Sequence, residues 1–135
     1  MTSRSVLRVA TATLIAAVVG SGAVLPASEV CAAQAQMSFS QDVLPIFGGR
    51  CVSCHQPGGA GYEKSGLDLT TYQGLMKGTK FGPVVVPGQS FTSDLVVLLD
   101  WRASAELRMP HGQKQLSSCD RNAIRDWIQQ GAKDN

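Results

Sequence analysis

The string Cys51-Val52-Ser53-Cys54-His55 constrains this chain more than anything else in it. Two cysteines three residues apart stand one helical turn from each other, and a histidine follows directly. In a C-x-x-C-H motif the two thiols add across the two vinyl groups of a haem, and the adjacent imidazole reaches the iron from the same side. Cys51 and Cys54 are therefore the candidate attachment points and His55 the candidate proximal ligand. A thioredoxin-type redox pair would need a βαβ context, and no alternation of strands and helices surrounds Cys51. A zinc site could be assembled from Cys51, Cys54, Cys119 and a histidine, but no second C-x-x-C or H-x₃-H supplies the usual paired half-site.

The N-terminus indicates where such chemistry would take place. Arg4 and Arg8 precede an uncharged stretch from Val9 to Leu25, and small residues lead to Ala33-Gln34-Ala35. A basic region, an apolar region and an A-x-A site describe a secretory signal peptide over residues 1–35, with residues 36–135 as the exported domain, periplasmic or otherwise outside the cytoplasm. The stretch would span about 26 Å as a helix, and Gly20, Ser21 and Gly22 weaken it. An uncleaved membrane anchor is the lesser alternative. A lipoprotein at Cys31 is a third, although Ser28-Glu29-Val30 lacks the apolar and small residues expected before such a cysteine. Cleavage after Ala35 removes Cys31 and leaves three cysteines, an odd number for an oxidising compartment. The expected state of Cys119 is a spare, partly buried thiol. A retained Cys31 could pair with Cys119, so such a bond tests the leader assignment.

Composition limits the remaining classes. Of 135 residues, 44% are hydrophobic and 16% charged, enough apolar mass for one core. The net charge of +2 comes from scattered residues, without the basic blocks that nucleic acid or an anionic membrane would require. No internal repeat or low-complexity tract appears, and no membrane span is expected in the mature chain.

A haem with a histidine on one side needs its other axial position explained. Met37, Met76, Met109 and His111 are the candidates. Met109 lies in Arg108-Met109-Pro110, a stretch poor in apolar residues, where a methionine is hard to explain as core filler. Pro110 restricts Met109 to extended conformations, which would hold its thioether in place. A His/Met pair is the usual cytochrome c ligation, so Met109 is the preferred distal ligand. His111 is the competitor and would give a bis-histidine haem; otherwise it is a solvated side chain. Met76 reads as core, and Met37 as part of a mobile N-terminus.

The elements expected around these residues are helical. Ser40 to Phe47 reads as a helix with Pro45 in its first turn, leading into Cys51. Residues 56–66, with four glycines and Pro57, read as a loop. Thr70 or Thr71 caps a short helix through Leu75 and Met76, stopped by Gly78. Residues 82–88 are extended between two prolines. Ser93 caps a helix from Asp94 to Trp101. Ser117 and Asp120 open a final helix with Ala123, Ile124, Trp127 and Ile128 on one face and Gly131 after its end. Leu67, Leu69, Val85, Trp101 and Trp127 are candidates for haem-lining or core positions. The fold class is all-α.

These residues resemble a known family. Val43-Leu44-Pro45-Ile46 before the motif, Gly66-Leu67-Asp68-Leu69, Val86-Pro87-Gly88, Met109-Pro110 and Trp127-Ile128-Gln129-Gln130-Gly131-Ala132 look like the planctomycete-type cytochrome c domain, a small mono-haem relative of class I cytochrome c. The resemblance runs from about Phe39 to Ala132. It implies the cytochrome c fold, with short helices and loops wrapped around one covalently bound haem c. It also implies Cys51 and Cys54 as thioether residues, His55 as proximal ligand and Met109 as distal ligand. The family often has a second proline after Met-Pro, where His111 stands here, which keeps the bis-histidine alternative open. The implied function is one-electron transfer between redox protein partners rather than enzymatic catalysis. A haem-based sensor or docking subunit of a larger redox complex is the alternative.

Overall fold

Short helices of six or seven residues do not persist alone in water, so their packing decides whether they form. The computed structural model describes residues 36–135, and the expected leader lies outside the described residues. Five α-helices follow one another: α1 (Leu44–Arg50), α2 (Ala60–Ser65), α3 (Tyr72–Lys77), α4 (Asp94–Leu99) and α5 (Ser118–Gln129). A π-helical turn, Phe39–Val43, runs into α1, and a 3₁₀ turn, Ala105–Leu107, precedes Met109. Among the described residues there is no strand; Thr79 and Gly82 form an isolated antiparallel bridge. The all-α expectation holds at this level.

Local chemistry accounts for most of the boundaries. Ser38 caps the π-helical turn, its hydroxyl accepting from Gln41 N, and Pro45 falls in the first turn of α1, where its missing N–H costs nothing. The Thr71 hydroxyl accepts from Gly74 N at 3.0 Å to open α3, and Gly78, at φ +78°, closes it. Ser117 opens α5 by accepting from Asp120 N at 3.0 Å. Ser93 stands at the start of α4 as expected, but its hydroxyl makes no cap. It is buried, accepting from Val86 N and donating to the Gln89 carbonyl, both at 2.9 Å, and so ties the extended 83–87 segment to α4.

One expectation is corrected: the glycine-rich stretch 56–66 contains α2. The helix starts after Gly59 and ends at Gly66, so three of the four glycines flank it rather than interrupt it.

The core gathers around α5. Ile124, Trp127 and Ile128 are buried, while Ala123 is half-buried at the edge of that face. Phe39 meets Tyr72 edge-on at 5.3 Å between ring centroids and Trp127 at 5.4 Å. Burial of large side chains of this kind is worth about 1.5–3 kcal/mol each. The Tyr72 hydroxyl donates to the Ala132 carbonyl and the Trp127 indole to the Lys133 carbonyl, both at 2.9 Å, so the chain folds back over its own aromatic cluster after α5. Asn135 then closes on the beginning of the domain: its side chain accepts from Phe39 N and its backbone carbonyl from Ser40 N, both at 3.0 Å. Met37 is held in the same closure, its N–H donating to the Gln130 side chain at 2.7 Å, in place of the mobility expected for it.

Candidate haem-attachment site

The end of α1 places the motif. Cys51 N and Val52 N both donate to the Phe47 carbonyl, and Cys54 N and His55 N both donate to the Cys51 carbonyl at 3.1 and 3.0 Å. The five residues therefore make one tight turn, bringing Cys51, Cys54 and His55 together as the sequence spacing requires. Both thiols are free. Cys51 packs against the core, and burial pushes its thiol up to about 11 against the opposing pull of Arg50. Cys54 is exposed. Together they offer one thiol from the core side and one from the solvent side of a single turn.

His55 is held from α2 and from the segment beyond it. Tyr62 N donates to the Cys54 carbonyl and Leu69 N to the His55 carbonyl, both at 2.9 Å. A Cβ on residue 61 would lie 2.8 Å from His55 Cε1 and 2.9 Å from Nε2. Only glycine at 61 therefore fits against the Cε1–Nε2 edge of the imidazole. Burial lowers the His55 pKa, and the Leu67 backbone only partly opposes this. Nδ1 is buried and reaches no partner with hydrogen-bond geometry. The ring is thus neutral at neutral pH, the form that binds iron.

Met109 lies on a separate segment packed against the same core. Its N–H donates to the Leu98 carbonyl of α4 at 3.2 Å, and its carbonyl accepts from the Trp101 indole at 2.9 Å. The bond to Pro110 is cis. Of its competitors, His111 is exposed and Met76 packs against the core, as expected for filler.

The residues that secure this segment were not all recognisable beforehand. Leu67, Leu69, Val85 and Trp127 are buried as anticipated, but Trp101 is only half-buried. The Asp100 carboxylate accepts from Arg125 Nη2 at 2.9 Å on both oxygens and from Arg121 Nη1 at 3.3 Å, with Arg102 Nε at 3.8 Å. The signal for this network is the four-residue spacing of Arg121 and Arg125, which puts two guanidinium groups on one face of α5.

The donor set suits a covalent haem: two free thiols in one turn, an imidazole kept neutral by burial, and a thioether on a backbone fixed at both ends. Zinc fits poorly. Among the described residues no group of three or more His, Cys, Asp or Glu side chains could hold a metal ion. Cys119, half-buried in the first turn of α5, is disulfide-bonded, which corrects the expectation of a spare thiol. Cys31 lies outside the described residues. No curated protein and no solved structure matches the chain. Residues 51–111, from the first cysteine of the motif through Met109 and Pro110, match the family described as Planctomycete cytochrome C, in support of the planctomycete-type cytochrome c domain that the sequence resembles.

Proposed function

We propose that residues 36–135 form an exported mono-haem electron carrier, with Cys51 and Cys54 as thioether residues, His55 as proximal ligand and Met109 as distal ligand. The observation that carries this reading is the single turn holding two free thiols beside an imidazole whose Cε1–Nε2 edge only a glycine at 61 accommodates. When bound, the haem supplies the one-electron couple of its iron.

The protein's own residues supply the rest. Cys51 and Cys54 would hold the haem by adding their thiols across its vinyl groups, sulfur bonding to one carbon and hydrogen to the other, with no net loss of atoms. His55 gives its Nε2 lone pair without first losing a proton. Met109 gives a thioether whose backbone is already held, so little ordering remains when it binds. With His55 and Met109 both holding the iron, no coordination site would be left for a substrate, and electron exchange with donor and acceptor proteins is the function that suits the site. Among the described residues no helix is long and apolar enough to cross a membrane. The leader-like residues 1–35 support export.

The test is the visible spectrum and intact mass of protein exported from a host with c-type cytochrome maturation machinery. The expected mass is residues 36–135 plus one haem, and the oxidised form should show a methionine-to-iron charge-transfer band. Cys54→Ser should abolish normal holoprotein, leaving at most one thioether. Met109→Ala should lose the band and let the reduced protein bind carbon monoxide. An apo mass without Soret absorption would overturn the haem assignment. Carbon monoxide binding by the unmodified protein at neutral pH would favour a sensor over a carrier.

A further inference from the structure

The C-terminus of α4 has an unusual occupant. Arg102 N donates to the Val97 carbonyl at 3.0 Å and Trp101 N to the Leu98 carbonyl at 3.3 Å, the paired bonds of a Schellman ending. The residue following the cap in that ending adopts a left-handed conformation and is usually glycine, because a side chain there is strained. Here it is Trp101, at φ +58°.

What the side chain does there accounts for its presence. The indole N–H meets the Met109 carbonyl at 2.9 Å, and the Arg108 guanidinium lies over the ring, 5.5 Å from its centroid. Both contacts go to the Arg108–Met109 dipeptide, while the Met109 N–H is taken by Leu98 of the same helix end. The residue before Trp101 is Asp100, fixed to α5 by Arg121 and Arg125. The left-handed turn thus aims an indole donor from a point anchored to α5.

We propose that Trp101 is a positioning residue for the distal ligand: its indole holds the Met109 peptide so that the thioether stays poised toward the iron. This rests on Met109 being that ligand. A thioether is a weak donor, so its hold on iron depends on how little freedom it must surrender, and a lost backbone anchor gives an exogenous ligand the advantage.

The test titrates the oxidised holoprotein with imidazole while following the methionine-to-iron band. Trp101→Phe keeps an aromatic ring but lacks the N–H, and should be displaced at about five- to tenfold lower imidazole, the effect of one lost hydrogen bond. Its thermal midpoint by far-ultraviolet circular dichroism should move little. Trp101→Gly supplies the residue the backbone prefers without the donor, and should be displaced at least as readily; it carries the test if the phenylalanine variant fails to mature. Unchanged imidazole affinity in the variants, with the band present in the unmodified protein, would overturn the role of Trp101 alone. Absence of the band from the unmodified protein, or its persistence in Met109→Ala, would instead overturn Met109 as ligand and this inference with it.

Discussion

Two sets of side chains on α5 hold the molecule by different means. Its C-terminal half buries Trp127 and Ile128 in the core, where Trp127 meets the Phe39 ring. Its first two turns extend Arg121 and Arg125 to Asp100, whose side chain remains 15% exposed. The first contact is apolar and non-directional, and its contribution scales with area. The second is a set of aimed hydrogen bonds immediately before the turn that presents Trp101 to Met109. The difference indicates that stability and the proposed Met109 ligation are supported by different contacts of one helix and can be perturbed separately.

The largest expected effect comes from the aromatic contacts. Phe39→Ala should cost about 3–5 kcal/mol in denaturant unfolding, the range for emptying a buried aromatic site. The methionine-to-iron band should nevertheless survive in native buffer. If the band disappears before the protein unfolds, the two sets of contacts are not separable. Asp100→Asn comes next, at about 2 kcal/mol, between an exposed ion pair and a buried one, because three arginines would be left around an uncharged group. Unlike Phe39→Ala, it should also ease displacement of Met109 by imidazole. An unchanged titration would confine Asp100 to a structural role. Ser117→Ala should be smallest, about 1 kcal/mol from a lost helix cap, with ligation unaffected. A shift in the titration there would mean that fraying at the start of α5 reaches Arg121.

How much of this was legible from the sequence depended on how local the cause was. Thr71 with Gly78, and Ser117 with Asp120, announce α3 and α5 because capping is settled within a few residues. The cysteine spacing of the motif is equally local. Helix α2 was missed because glycine counting treats every glycine as a breaker, whereas Gly59 and Gly66 bound the helix and Gly61 is inside it to clear the imidazole. Ser93 sits where expected but spends its hydroxyl on Val86 and Gln89, a tertiary demand that no sequence window contains. Trp101 reads as a haem-lining or core position because nothing short of the fold reveals a tryptophan at φ +58°.

The closure between Asn135 and residues 37–40 has a consequence for the order in which the chain can be written. The Ser38 hydroxyl donates to the Asn135 carbonyl at 2.7 Å, and Asn135 Nδ2 donates back to the Met37 carbonyl at 3.3 Å. Points that far apart in sequence and that near in space can be joined by a short linker, and the chain reopened elsewhere without stretching. The exposed residues 111–114, just after Met109 and Pro110, are the natural place for the new ends. Such a circular permutant would keep the aromatic cluster on a continuous backbone while freeing the distal segment at one end, turning the division of labour along α5 into a property of connectivity.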